Sequence, residues 1–331
     1  MDKSALLLQL ERGELSVAQV IDGLRDKEPG GDGTLAVAEM QVPTRQERLC
    51  MLAKGASSVA APSLLVGLPG QEAAPWPWPE IEWQWVWQDP FRPQHVDHGV
   101  AMDGGDTLYA VFYEGDVRVD GAEGNRAEFG GAFYDMRLGR SGRALYVAAS
   151  AGSADLVLPA VSQLEIGTAP GDLRLAGVKA RRLRAHCRSG ACRLEKIEGD
   201  VEVDLQGSDL DVTELQGQLK VRGRRAGVRG RLLAAPEIDI EVDGPIQLDL
   251  GEITTGRVHC KALAGDIEVS LAAAAAVDLV AAAPVGGIAP CNPSWSALRG
   301  RSPVEIDGAI NGGGAAVHLE ATEGRVFVNI I

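Results

Sequence analysis

The side chains able to do chemistry are few, and their spacing rarely favours one reaction. His95-Val-Asp-His98 offers three metal-ligating groups in four positions. Side chains on a strand alternate between faces, so His95 and Asp97 would share one face and His98 would not. A polar surface loop near Pro93 is the simpler reading. Cys187 and Cys192 enclose Arg-Ser-Gly-Ala, and His186 and His259 each precede a cysteine. Such residues can hold zinc. In CRLEKI and VHCKAL, however, the cysteines alternate like core residues, and cysteine also packs as a small buried hydrophobe. A hairpin disulfide between Cys187 and Cys192 is a third reading. Asp209 and Asp211 invite comparison with the carboxylate pair of glycoside hydrolysis, which needs a defined separation. Acids recur on almost every strand segment, so this pair is not singled out. GxSxG, P-loop, HExxH and GxGxxG patterns are absent. The sequence therefore predicts a protein that is not an enzyme, with no catalytic residue, cofactor or metal.

Charge is more informative. The chain carries a formal net charge of −14, which argues against a nucleic-acid partner because phosphate neutralisation needs a basic footprint. From Arg174 to Arg231 there are 14 Lys/Arg and 8 Asp/Glu, so this window is basic and the remainder strongly acidic. KARRLRAHCR (179–188) and KVRGRRAGVR (220–229) each hold an arginine cluster. Arg182 and Arg224 are 42 residues apart, or two turns of a repeat of about 20. On that spacing Arg181, Arg182, Arg184, Arg222, Arg224 and Arg225 would stack into a ladder suited to an anionic partner, such as an anionic lipid or an envelope polymer. The competing reading is intramolecular pairing with acids on neighbouring coils, such as Asp200, Glu202 and Asp204.

The elements that must position these groups are strands. A five-residue phrase recurs: glycine, any residue, an aliphatic, any residue, an aliphatic. It reads GDVRV (115–119), GDLRL (171–175), GDVEV (199–203), GQLKV (217–221), GPIQL (244–248), GDIEV (265–269) and GRVFV (324–328). Alternation with period two gives each strand one apolar and one polar face. Glycine suits the turn that opens each unit, and its total of 41, about 12% against a usual ~7%, fits many such turns. A phrase repeating near every 20 residues predicts a β-solenoid, a β-helix-like stack in which neighbours bury each other's apolar sides. A β-sandwich is the alternative.

Upstream the pattern differs. Leu6, Leu7, Leu8 and Leu10 form an apolar helical face ended by Gly13, and Ser16 with Gln19 matches a capping box before a second helix. The domain reading is a helical hairpin at 1–28, an uncertain segment at 29–68 that could be a degenerate second hairpin, a Pro-rich linker at 69–80, and the strand-repeat domain at 81–331. Five of the six tryptophans lie between Trp76 and Trp87. In IEWQWVWQ, Ile81, Trp83, Trp85 and Trp87 share one face of a strand, which predicts an aromatic cap over an open end of the stack, or an interface. No secretory signal is evident and no window reaches the ~18 apolar residues of a membrane span. Five scattered cysteines, an odd number, fit a reducing compartment.

The C-terminal GGGAAVHLEATEGRVFVNI (312–330), with the GDVEV and GDIEV phrases, resembles the last repeats of a bacterial β-strand-repeat family of candidate adhesins of unknown function. LLQLERGELSVAQVIDGL (7–24) resembles the short helical hairpin, of SHOCT-like type, that often precedes that domain. The resemblance spans roughly 3–26 and 100–331. It implies a non-enzymatic scaffold or binding module of the cell-envelope stress kind, self-associating or docking onto a protein partner through its N-terminal helices. A cytoplasmic location is expected, with peripheral membrane attachment left open. The rival readings are a polymerising cytoskeletal solenoid and, further off, a carbohydrate-active β-helix enzyme.

Overall fold

A computed structural model describes residues 83–89, 92–284, 287–290 and 304–331. The helical hairpin expected at 1–28, segment 29–68, the linker at 69–80, Cys50, Cys291 and Trp295 lie outside the described residues. So do Trp76, Trp78 and Ile81.

The recurring phrase builds coils of two strands, one for each face of a parallel stack. The pairs are β3 (Thr107–Phe112) with β4 (Asp116–Gly121), β7 (Val161–Thr168) with β8 (Leu173–Ala176), β10 (Leu219–Arg224) with β11 (Val228–Ala234), β12 (Glu237–Val242) with β13 (Ile246–Gly251), β14 (Arg257–Ala262) with β15 (Ile267–Leu271), and β19 (Ala315–Ala321) with β20 (Val326–Ile330). β9 (Lys179–Gln216) is one long bent strand that supplies successive rungs to both faces. It turns corners at residues with positive φ, among them Ser189, Lys196, Gly207 and Glu214. The stack is therefore the β-solenoid the sequence predicts and not the sandwich.

On the first face Val203, Val221, Ile240, Cys260, Leu319 and Ala281 follow one another in parallel register. On the second, Leu210, Val228, Ile246, Ile267 and Val326 do the same. All of these are buried, so the two inner rows form one continuous core. Each large aliphatic in it stabilises the fold by about 1.5–3 kcal/mol.

The glycines that open the phrases sit where coils come closest. A Cβ on Gly217 would stand 2.1 Å from the Gly199 carbonyl oxygen, and one on Gly324 would stand 2.0 Å from that of Gly265. Close approach, rather than turn geometry alone, is what requires glycine there. The aspartate that often follows has its own task. Asp172, Asp200 and Asp266 each accept a hydrogen bond from a backbone N–H of the next coil, at 2.8, 3.2 and 2.8 Å (from Ala191, Gln218 and Arg325).

Both ends are built out of chain order. β6 (Ala144–Leu158) runs outside β3 and β4, parallel to both, and β5 (Arg126–Ser141) covers it antiparallel. β1 (Trp83–Gln88) and β2 (Gln94–Ala101) then pair antiparallel with β5. At the other end β16 (Val277–Ala283) and β17 (Ile288–Pro290) stack outside β19 and β20, although they precede them in sequence. β18 (Val304–Ile310) covers β16 antiparallel. An open stack end offers a free edge to other chains; here β5 covers β6 at one end, and at the other β18 covers β16, while β17 pairs only with β20 among the described residues.

Candidate functional site

The outward residues of the first face form two rows of charge. In the first row Tyr109, Glu165 and Arg184 are in register, as are Glu202, Lys220, Asp239, His259 and His318. Arg184 joins the two runs by donating to Glu202 at 2.9 Å. The second row holds His186, Asp204, Arg222, Glu241, Lys261 and Glu320 in the same manner. Opposite signs alternate from rung to rung over most of each row.

The contacts are close. Arg222 reaches Asp239 at 2.6 Å and Glu241 at 3.4 Å. Lys220 reaches Glu202 at 3.4 Å, and Lys261 reaches Glu320 at 2.7 Å. Partial burial opposes the charge on Glu202, but Arg184 and Lys220 hold its carboxyl below the ordinary range. Burial likewise opposes the charge on Asp239, and Arg222 and His259 pull its carboxyl down. His186 lies between two acids: its Nδ1 is 3.1 Å from Asp204 and its Nε2 is 3.3 Å from Glu165. Burial works against the imidazolium, yet the two carboxylates outweigh it and the pKa is pushed up to about 9. Both ring nitrogens then donate.

The six arginines expected to bind an anionic partner are not in one stack. Arg182 and Arg184 share Glu202, and Arg222 belongs to the second row. Arg224 is in register with Gln206, four residues beyond Glu202, or roughly 13 Å along the strand. The expected alignment of Arg182 with Arg224 is thus corrected. Coils here repeat every 18 or 19 residues, so a spacing of 42 overshoots two of them. In these two first-face rows the cations that align are separated by an acid rung. Arg181, Arg224 and Arg225 are exposed, and their guanidinium groups form no ion pair among the described residues, although the Arg225 backbone N–H donates to the Asp243 carboxylate at 3.1 Å.

The tryptophans divide. A bulge between Trp85 and Trp87 breaks the alternation expected for Trp83, Trp85 and Trp87. Val86 and Trp87 pack against the core, while Trp85 is 46% exposed. The Arg137 guanidinium lies over both Trp83 and Trp85, at 4.8 and 5.7 Å from the ring centres. The sequence could not show the bulge, because its alternation is unbroken.

Cys187, Cys192 and Cys260 are free and buried, and their strands send His186 and His259 outward. Adjacent residues on a strand face opposite ways, so these His-Cys pairs cannot share one ion. Of the paired acids, Asp209 accepts the Gly227 N–H at 2.8 Å, and Asp211 lies in the outer row beside Arg229. Three arginines that the sequence reading passed over, Arg118, Arg174 and Arg193, follow one another in register on the second face. Two are paired, Arg118 with Asp120 at 2.8 Å and Arg174 with Glu195 at 2.9 Å. The shared GDVR and GDLR phrases were the available signal for the first two.

The described residues thus form a β-solenoid whose two first-face rows pair opposite charges from rung to rung. The chain belongs to the Toastrack DUF4097 family, whose model matches residues 106–288. This agrees with the strand-repeat resemblance read from the sequence. The chain is also similar to the crystal structure of a candidate cell adhesion protein from Clostridium sporogenes, at 10% identity with a TM-score of 0.27. That match covers 72% of this chain and 99% of the other, and at such a score it adds nothing to the fold already described. No curated protein matches. Among the described residues no helix is long and apolar enough to cross a membrane.

Proposed function

We propose that this chain is a non-enzymatic scaffold or binding module of the bacterial cell envelope, which docks or self-associates through residues 1–28. The observation that carries this reading is the pairing along the outer rows. Glu202, Asp239 and Glu320 are each held by a cation on an adjacent rung, which leaves them poorly placed as general acids or bases. The antiparallel covers on β6 and β16 favour discrete particles over the end-to-end filaments of a cytoskeletal solenoid. Of the six arginines expected to bind, Arg181, Arg224 and Arg225 are the exposed ones whose guanidinium groups are left to meet an anionic lipid or envelope polymer. The SHOCT-like hairpin supplies the docking element in this reading.

Two measurements on the full chain test it. Light scattering coupled to size exclusion should give a discrete oligomer that falls to a monomer in the V20E/I21E variant. A monomeric parent chain would remove the self-association. Co-sedimentation with vesicles containing phosphatidylglycerol should weaken when Arg181, Arg224 and Arg225 are changed together to Ser. Unchanged binding would remove the anionic surface.

A further inference from the structure

The outer row of the first face stops alternating at one place. Asp239 is followed by His259 and then by His318, two histidines on adjacent rungs, with Glu320 two residues along the same strand. The rings meet edge to face with centres 5.4 Å apart. One ligand atom from each of His259, His318 and Glu320 lies within 4.8 Å of the others. Beyond this rung the row ends in Val280, which faces His318 in register.

From this geometry we propose a metal site for a divalent transition ion, zinc foremost, held by His259, His318 and Glu320. Four features support it. His259 Nδ1 is 3.0 Å from Asp239 Oδ1. With its N–H directed there, Nε2 presents its lone pair outward, the orientation a carboxylate imposes on a metal-bound imidazole. Asp239 is itself fixed by Arg222 at 2.6 Å. His318 is exposed, and neither of its ring nitrogens has a hydrogen-bond partner among the described residues. Glu320 gives Oε1 to Lys261 and keeps its second oxygen for an ion.

The distances suit a small ion. Zinc bonds of about 2.0–2.1 Å at tetrahedral angles place ligand atoms about 3.3 Å apart. The present separation of up to 4.8 Å would have to close by about 1.5 Å, with the exposed His318 the side chain freest to move. Two imidazoles and one carboxylate favour zinc, copper or nickel over calcium or magnesium. Three protein ligands leave one position for water. Lys261 opposes the ion, being the cation nearest to a proposed ligand.

The test is a zinc titration of the full chain against a competing chromophoric chelator at pH 7.5. The C50S/C291S background removes two thiols that could bind zinc elsewhere. One equivalent should bind with micromolar or tighter affinity and should raise the melting temperature. H259Q and H318Q should each weaken binding at least tenfold and abolish that rise. H95Q/H98Q should bind as the parent does. K261M should bind roughly 3–10-fold more tightly, because a neighbouring positive charge has gone. Absence of stoichiometric binding, binding that survives H318Q, or no tightening in K261M would each overturn the three-ligand site.

Discussion

His186 gives the most exacting test of the charge rows. Its imidazolium is held by Asp204 and Glu165 at 3.1 and 3.3 Å, and its side chain is 27% exposed. Burial disfavours the charge and the two acids more than restore it, raising the pKa from 6.5 to about 9. Because the folded value lies above the unfolded one, the stabilisation is complete below about pH 6.5. It is lost as pH rises towards 9. A shift of that size corresponds to about 3 kcal/mol at 1.36 kcal/mol per unit, and residual solvent screening brings the expectation to about 2–3 kcal/mol. Urea unfolding of the parent and of H186Q should therefore differ by about 2–3 kcal/mol at pH 6. The gap should close by pH 9.5, where the parent imidazole is neutral. Titrating thiols and amines are common to both proteins and cancel in the difference. A gap independent of pH, or an imidazole that titrates near 6.5 by NMR, would refute the assignment.

Other expectations follow from the coil contacts. G324A places a methyl group 2.0 Å from the Gly265 carbonyl oxygen and should cost about 2–4 kcal/mol in chemical unfolding. G104A, whose nearest neighbour would be the Ala160 oxygen at 3.9 Å, should change stability by no more than about 0.5 kcal/mol. W87A should lower stability by about 2–3 kcal/mol because Trp87 packs against the core. W85A, at an exposed ring, should cost below about 1 kcal/mol. Burial pushes the Cys260 thiol up, and the Cys192 thiol is raised by Cys187 and by burial. In the C50S/C291S background, native protein should therefore be inert to a disulfide-exchange reagent, and three thiols should react in guanidinium.

Much of the stack was readable in advance because its rule is local. In GDVEV and GDIEV the period-two pattern names the inward residues, and Val201, Val203, Ile267 and Val269 are buried as that pattern requires. The same locality hid the rest. The coil length of 18 or 19 shows only in the spacing from Gly199 to Gly217, because the spacings of 28 and 27 join phrases on opposite faces, which the sequence does not mark. The error moved Arg224 off the Arg182 position. The bulge beside Trp85 leaves no mark on the sequence either. The facing of His259 and His318 was hidden by a separation of 59 residues, although RVHCKA and AAVHLEA share a Val-His step at the same place in the phrase.

That separation raises the question of why β14 is followed in space by β19 and not by β16, which comes first along the chain. The outer row supplies an answer. β19 sets Glu320 against Lys261, whereas β16 in the same register would set Ala282 there, leaving Lys261 without that partner. Below the opposite face, Gly324 accommodates the Gly265 carbonyl and Asp266 accepts the Arg325 N–H at 2.8 Å. The end coil β16–β17 needs the reverse character. Its first-face row offers Val280 and Ala282, and its free edge is covered antiparallel by β18. In the two rows that hold His318 and Glu320 the charges stop at β16, although Asp278 keeps one charge on that strand's outer face, in register with Ala316. Specificity of this kind comes from unpaired charges in the wrong order as much as from pairs in the right one. E320A should therefore loosen the docking of β19 specifically. Hydrogen exchange should rise in β19 and β16 while β10 and β12 keep the protection of the parent. A uniform rise across all coils would show that the row does not set their order.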